Sequence, residues 1–209
     1  MPELSIKNFI LGATLSAITG ISIISLSLYF GKSELFLLLN NDWGKLADQI
    51  FVFATYLGDG TIWIPVALYV LLFRKKYTIL LLGSIIYSTL FAQITKHFIF
   101  PGVLRPTRMI SDLSLIHTVP GVEINSFYSF PSGHTTTVFT IYLLFCLLLS
   151  KKWIVPVGFL SALVVGYSRI YLAQHFPIDV GAGMIAGLIS VYFSLRLQNW
   201  KDQYFNQSK

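Results

Sequence analysis

Six long apolar stretches limit what this chain of 209 residues can fold into more than any other feature. They cover residues 9–30, 57–73, 77–95, 133–150, 153–168 and 176–195. A helix needs about 20 apolar residues to cross a bilayer, within a range of about 17–25. Only 11% of the residues are charged, whereas soluble domains typically carry about a quarter. The sequence therefore predicts an all-α integral membrane bundle of about six transmembrane helices.

The connections between these stretches indicate how the bundle is organised. Residues 43–56 look amphipathic, which predicts a surface helix before the second transmembrane helix. No repeat, low-complexity tract or linker divides the chain, so we expect a single membrane domain over residues 1–209. Gly183 and Gly187 in the last stretch form a G-x-x-x-G pattern that favours close helix packing. The long connection 96–130 lacks an apolar run, and a loop of that length in a compact domain is usually functional.

Basic residues near the helix ends predict the orientation, because Lys and Arg accumulate on the cytoplasmic side. Residues 74–76 and 151–152 carry such clusters, and further basic residues flank both termini. This alternation predicts cytoplasmic termini. Basic residues on the opposite side violate the rule as a group, and a violation of this kind invites a functional explanation; they include Lys96, Arg105, Arg108 and Arg169.

Composition also argues against several classes of function. The net charge of +6 is spread along the chain, without the basic stripe or aromatic-basic motif of a nucleic-acid-binding protein, so no nucleic-acid partner is expected. Cys146 is the only cysteine, which excludes both a disulfide framework and a cysteine metal site. We expect no cofactor and no metal at the site described next.

Three polar stretches fall at the outer ends of different predicted helices. They are KHFIFPGVLRP at residues 96–106, PSGH at 131–134 and SRIYLAQHFPID at 168–179. Folding would gather side chains of complementary chemistry from these stretches around one cavity; they are Lys96, Arg105, Arg169, His134, His175, Ser132 and Asp179. Cations suit the equatorial oxygens of a phosphoryl group, and histidine can act as nucleophile or acid. The combination predicts a phosphate site with a nucleophile beside it.

These stretches resemble the motifs of the type-2 phosphatidic acid phosphatases, membrane lipid phosphatases that share a core with the soluble vanadium haloperoxidases. The second and third motifs match in full, with five residues between Arg169 and His175 and three between His175 and Asp179. The first motif departs from the pattern, since eight residues separate Lys96 from Arg105 instead of the usual six. The resemblance covers about residues 55–195, the expected phosphatase core, and implies a bacterial cytoplasmic membrane with the site facing the periplasm.

The chemistry of the residues themselves assigns them roles. His175 is the best candidate nucleophile, because Asp179 lies one helical turn further on and can orient the imidazole. His134 is placed to protonate the leaving oxygen and then to activate water. Three cations would neutralise the phosphoryl oxygens, and the start of the helix at Ser132 and Gly133 would turn backbone N–H groups toward them; the cations are Lys96, Arg105 and Arg169.

Three classes of function remain open at this stage. The favoured one is a metal-independent lipid phosphatase or pyrophosphatase that works through a phosphohistidine. The alternatives are a haloperoxidase-like vanadate enzyme and a lipid-phosphate binder or transporter without catalysis. Candidate substrates are polyprenyl diphosphate, phosphatidylglycerophosphate, phosphatidate and a phosphorylated glycolipid. Membrane lipids are the expected partners, and the sequence leaves the oligomeric state open.

Overall fold

Helices make up the fold, and their bounds come from a computed structural model that describes residues 3–207. The nine helices in this range are α1 (Ile6–Phe30), α2 (Lys32–Leu39), α3 (Lys45–Tyr56), α4 (Trp63–Phe73), α5 (Thr78–Ile94), α6 (Pro106–Met109), α7 (Gly133–Leu148), α8 (Ile154–Tyr171) and α9 (Pro177–Gln207). Residues 3–207 contain no strand. The predicted all-α membrane bundle is confirmed, and each of the six apolar stretches contains one of the longer helices.

Not every one of the six predicted transmembrane helices is long and apolar enough to cross a membrane alone. By length and composition, four helical segments can cross a membrane alone: Ile6–Phe30, Lys75–Ile99, Ile154–Tyr171 and Pro177–Tyr204. The pair α3 and α4 passes the same test only together, as one span bent by 57°. The apolar helix α7 has 16 residues, fewer than an ordinary span. Four spans, or five with the bent pair, are therefore supported among the described residues.

The second predicted segment differs from expectation. A continuous helix over 57–73 was predicted, but α4 begins at Trp63 after a break that contains Gly58, Asp59 and Gly60. The Asp59 carboxylate accepts a hydrogen bond from the backbone N–H of Thr61 at 2.9 Å and so caps a short 3₁₀ turn there. A capping carboxylate between two glycines interrupts the helix, because both features favour turn geometry over helix continuation.

The short helix α7 lies at the centre of the bundle. Twelve of its sixteen residues are buried, and it packs against α1, α5, α8 and α9. A helix that is apolar on all sides is stable only when neighbours cover all of it. The start of α7 is therefore held in the interior, enclosed by the ends of the surrounding helices.

Two glycines of α9 allow it to approach α7 closely, as the G-x-x-x-G pattern predicted. A Cβ atom on Gly183 would lie 2.8 Å from the backbone oxygen of Ser132 and 2.8 Å from the Cβ of Thr135. A Cβ on Gly187 would lie 3.0 Å from backbone atoms of α7. This contact brings the first turn of α9 beside the first turn of α7, where the site lies.

We predict that Gly183→Ala lowers the melting temperature of the purified protein. Helix propensity alone would favour alanine by about 1 kcal/mol, but overpacking against α7 costs about 1–3 kcal/mol. Gly60→Ala is the control, because a Cβ at Gly60 has no heavy atom within 4 Å. A melting temperature that rose in Gly183→Ala would show that the two helices are not in close contact.

Candidate active site

His175 and Asp179 form a buried pair at the start of α9. Asp179 is the third residue of the helix, and its Oδ2 accepts a hydrogen bond from the backbone N–H of Phe176 at 2.9 Å. This contact is half of a capping box, in which the third residue reaches back to the residue before the helix. The same oxygen lies 3.4 Å from His175 Nδ1, and both side chains are 2% exposed. An ionised carboxylate only accepts, so this contact places the proton on Nδ1 and leaves Nε2 free.

Ser129 is a third member of this group that the sequence did not reveal. Its hydroxyl donates to Asp179 Oδ2 at 2.5 Å and lies 3.5 Å from His175 Nδ1. Ser129 is fully buried. One carboxylate oxygen thus receives hydrogen bonds from a backbone N–H, a hydroxyl and an imidazole, which fixes both the carboxylate and the ring that it orients.

The first turn of α7 supplies a second histidine and a helix N-terminus. Ser132 caps the helix as predicted, since its Oγ accepts from Thr135 N at 3.4 Å and from Thr135 Oγ1 at 2.9 Å. Its own backbone N–H donates to the backbone oxygen of Asp179 at 3.0 Å. Gly133 and His134 follow, and the free N–H groups of a first turn attract anions. The N-terminus of α7 is therefore fastened directly to the His175–Asp179 pair.

Lys96 reaches this helix start despite the long spacing of its motif. A Cβ atom on Gly133 would lie 3.6 Å from Lys96 Nζ. The chain from Thr95 to Ile99 forms a π turn, which holds more residues than an α turn and takes up part of the extra length. Lys96 therefore lies beside the α7 N-terminus even though its motif has two additional residues before Arg105.

The two arginines come from different segments that precede His175 in the chain, and both are buried. Arg105 donates from Nη1 to the backbone oxygen and Oε1 of Gln174, each at 3.0 Å, and from Nε to the backbone oxygen of Phe127. Arg169 is 7% exposed, and its Nη1 donates to Thr55 Oγ1 on α3. Its Nε is buried and finds no hydrogen-bond acceptor among residues 3–207. A buried guanidinium nitrogen without an acceptor is available to a ligand that offers one.

The charges around His175 control its protonation. Burial lowers the pKa of His175 well below its ordinary value, and the positive charges of Arg105, Arg169 and Lys96 act in the same direction. The imidazole is therefore neutral at physiological pH, the form that can attack phosphorus. The cations that would bind a phosphoryl group thus also keep the nitrogen nucleophilic.

The bend between α3 and α4 lies against His134. A Cβ atom on Gly58 would lie 2.9 Å from the Cβ of His134. A hydrogen bond from the Thr61 backbone lowers the pKa of Asp59, and the charges of His134 and Arg169 lower it further. Asp59 is therefore ionised and close enough to interact electrostatically with both.

A separate group of side chains contains potential metal ligands. Asp42, Asp48 and His117 bring ligand atoms within 4.8 Å of one another, although the sequence predicted no metal constellation. Hydrogen bonds account for this arrangement. His117 Nε2 lies 3.1 Å from Asp48 Oδ1, and the Tyr171 hydroxyl donates to the same oxygen at 2.7 Å. The group ties the long loop to α3 and α8.

The structure brings all the predicted site residues into one region. These are His175, His134, Asp179, Lys96, Arg105, Ser132, Gly133 and Arg169. Sequence reasoning missed Ser129, Gln174 and Thr55, which hold members of this set in place. Ser129 is within the stretch YSFPSGH, but a serine beside a turn is too common to indicate a role by itself.

Comparisons with known proteins relate this chain to one family. The family model described as PAP2 superfamily matches residues 77–203. An undecaprenyl-diphosphatase of Sulfolobus acidocaldarius is 31% identical over 168 residues, which are 79% of this chain and 78% of that protein.

Two crystal structures have a similar fold. That of Aquifex aeolicus LpxE has a TM-score of 0.68 and 34% identity, over 78% of this chain and 93% of that one. That of a transmembrane PAP2-type phosphatidylglycerolphosphate phosphatase from Bacillus subtilis has a TM-score of 0.64 and 20% identity, over 91% and 96% of the two chains.

We predict that Ser129→Ala lowers kcat for phosphate release by roughly 10- to 100-fold. A hydrogen bond to a charged group is worth about 1.5–3 kcal/mol, and each 1.36 kcal/mol changes a rate about tenfold. KM should change little, because Ser129 contacts Asp179 and His175 and none of the cations. Ser126→Ala in the same loop is the control, since Ser126 is exposed. Equal rates for the two variants would exclude a positioning role for Ser129.

Proposed function

The chain belongs to the PAP2 superfamily and is an integral membrane lipid phosphatase, and on that premise we propose how its residues act. His175 is the nucleophile, His134 the general acid and base, and Asp179 the residue that orients His175. Lys96, Arg105, Arg169 and the N-terminus of α7, at Ser132 and Gly133, bind the phosphoryl oxygens. The catalytic core covers residues 55–195 within a single membrane domain over 1–209.

The unpartnered Nε of Arg169 carries this proposal. Arg169 is 7% exposed, so its guanidinium has lost most of its hydration and needs an anionic partner. Asp179 is already bonded by Ser129, Phe176 and His175. A phosphoryl group beside His175 would supply acceptors that a planar guanidinium binds in bidentate fashion.

The first half of the reaction transfers the phosphoryl group to the protein. Nε2 of neutral His175 attacks phosphorus while the bond from phosphorus to the ester oxygen breaks. Burial and the nearby cations lower the pKa of His134, and the bound phosphate anion offsets those cations so that His134 can hold a proton. The N–P bond that forms makes a phosphohistidine, and His134 gives that proton to the departing oxygen. Asp179 stabilises the positive charge that develops on the imidazole, while the three cations and the α7 N–H groups stabilise the charge on the phosphoryl oxygens.

The second half returns the protein to its starting state. His134, now without its proton, takes one from a water molecule as that water attacks the phosphohistidine. The N–P bond breaks, inorganic phosphate leaves, and both histidines regain their original protonation. The reaction needs a nucleophile, one proton-transfer group and fixed positive charge, and the side chains named above provide all three.

A lipid phosphate is the substrate class, and membrane lipids surround the protein. We propose that the chain resides in a bacterial cytoplasmic membrane, with its termini in the cytoplasm and its site on the outer face. Candidate substrates include polyprenyl diphosphate, as the name of the Sulfolobus relative suggests, together with phosphatidylglycerophosphate, phosphatidate and phosphorylated glycolipids.

Phosphate release from a panel of these lipids should survive an excess of EDTA and be inhibited by vanadate. Lys96, Arg105 and Arg169 supply the positive charge that a metal would otherwise provide, and vanadate adopts the five-coordinate geometry of a phosphoryl transition state. Arg169→Ala is the matched variant and should lose both activity and vanadate sensitivity. Activity that disappeared with EDTA and returned with magnesium would refute the proposed mechanism.

Cysteine labelling from each side of the membrane tests the orientation. A membrane-impermeant thiol reagent added to intact cells should label Ser114→Cys in the long loop but not Lys75→Cys or Lys151→Cys. The distribution of basic residues predicts this result. The buried Cys146 serves as the background control in the parent protein. Labelling of Ser114→Cys only after the cells are opened would reverse the assigned topology.

A further inference from the structure

A cavity of about 320 Å³ opens beside the site, between α5, α7 and the α3–α4 bend. Lys96, Gly133 and His134 line one end of it. From there, Gln93 and Thr89 follow down α5, one and two helical turns from Lys96, and Thr137 lies one turn down α7 from His134. Because Lys96 lies beside Gly133, the polar residues of both helices extend from the phosphate site along the wall of this cavity.

Three polar side chains of this cavity differ from the threonines of α7 that are satisfied within the helix. Thr136 and Thr140 donate to backbone oxygens four residues earlier at 2.9 and 2.6 Å, the usual way to satisfy a hydroxyl within a helix. Within residues 3–207, Thr89, Gln93 and Thr137 form no side-chain hydrogen bond in the structure. An amide or hydroxyl without a partner in an apolar medium costs about 2–7 kcal/mol. These groups are therefore available to a ligand in the cavity.

The geometry of the phosphoryl transfer indicates which part of the substrate occupies the cavity. This argument rests on the proposed function. In a phosphoryl transfer the nucleophile and the leaving oxygen lie on opposite sides of phosphorus. His134, the proposed acid, lines the cavity, whereas His175 lies outside its lining and is 1% exposed. The leaving group therefore extends from phosphorus past His134 into this space.

The charges in the cavity indicate the chemistry of that leaving group. Among the described residues that line it, Lys96 is the cation besides His134, the proposed acid, and the phosphoryl group requires it. Ionised Asp59 lies in the bend that forms one wall. The leaving group of a diphosphate is itself a phosphate anion and would need cations of its own. The leaving group of a glycerol or sugar ester is neutral, with hydroxyl or carbonyl oxygens near the bond that breaks.

We infer that Thr89, Gln93 and Thr137 form a subsite for the oxygens of a neutral alcohol, so that the substrate is a phosphomonoester of a glycerolipid or glycolipid and not a polyprenyl diphosphate. In this reaction the bond from phosphorus to the alcohol oxygen breaks, His175 Nε2 takes the phosphoryl group, and the His134 proton completes the alcohol. The two amide hydrogens of Gln93 can donate to hydroxyl or carbonyl oxygens of the alcohol, and its amide oxygen can accept from a hydroxyl.

The test compares three substrates of similar chain length with the full-length protein in detergent. Lysophosphatidate has hydroxyl and ester oxygens next to the phosphate, dodecyl phosphate has none, and farnesyl diphosphate has a charged leaving group. The value of kcat/KM should be highest for lysophosphatidate, about tenfold or more above that for dodecyl phosphate. The reason is that unpaired polar groups in a site disfavour a ligand that lacks partners for them. Farnesyl diphosphate should be the poorest.

Gln93→Leu and Thr137→Val should each lower kcat/KM for lysophosphatidate by roughly three- to tenfold, the range expected for the loss of a neutral hydrogen bond. The value for dodecyl phosphate should stay the same. Thr140→Val is the matched control, because its hydroxyl is satisfied within the helix, and it should leave the ratio of the two substrates unchanged.

Two results would overturn the inference while leaving the phosphatase assignment intact. One is a kcat/KM for farnesyl diphosphate that equals or exceeds the value for lysophosphatidate. The other is an equal loss on all three substrates in Gln93→Leu and Thr137→Val, which would assign these residues to stability. If the parent protein released phosphate from none of the three, the proposed function itself would fail and the subsite with it.

Discussion

The arrangement of the site depends on the hydrogen bonds that Asp179 forms at the start of α9. Its carboxylate holds the His175 ring, the Ser129 hydroxyl and the backbone N–H of Phe176. Its backbone oxygen holds the N–H of Ser132, where α7 begins. One residue therefore sets the orientation of the proposed nucleophile and fixes the proposed anion-binding helix next to it. The close packing at Gly183 makes this possible, because it brings the two helix starts together.

The same region concentrates positive charge in a place where charge is costly. Arg105 and Arg169 are 8% and 7% exposed, and Asp179 is the buried acid among the described residues. Ionisable groups within a membrane protein are expensive and usually functional. Two arginines and Lys96 around one carboxylate leave an excess of positive charge, which a bound phosphoryl group would offset. Burial lowers the pKa of His175 and that excess lowers it further, so the cations that would bind the anion also help to keep the nucleophile neutral.

Much of this could be predicted from the sequence, because it rests on local patterns. Apolar runs located the longer helices, and residue type and spacing located His134, His175 and Asp179. The helix predicted over 57–73 begins later, at Trp63, because apolar content masks a short turn at Asp59. Ser129 was missed because its partner Asp179 is 50 residues away in the chain. A role for Thr89 and Gln93 can be inferred only once the structure shows that they line one cavity with Lys96.

Rapid-quench kinetics on an aryl phosphate test the central claim, that His175 takes the phosphoryl group and His134 handles the protons. An aryl leaving group needs little help from an acid, whereas attack of water on phosphohistidine still needs a base, whose help is worth about 10²–10⁴-fold. His134→Ala should therefore release a burst of phenol with little free phosphate and accumulate phosphohistidine at His175, and His175→Ala should give no burst. A burst from His175→Ala, or parental behaviour in both variants, would contradict the account.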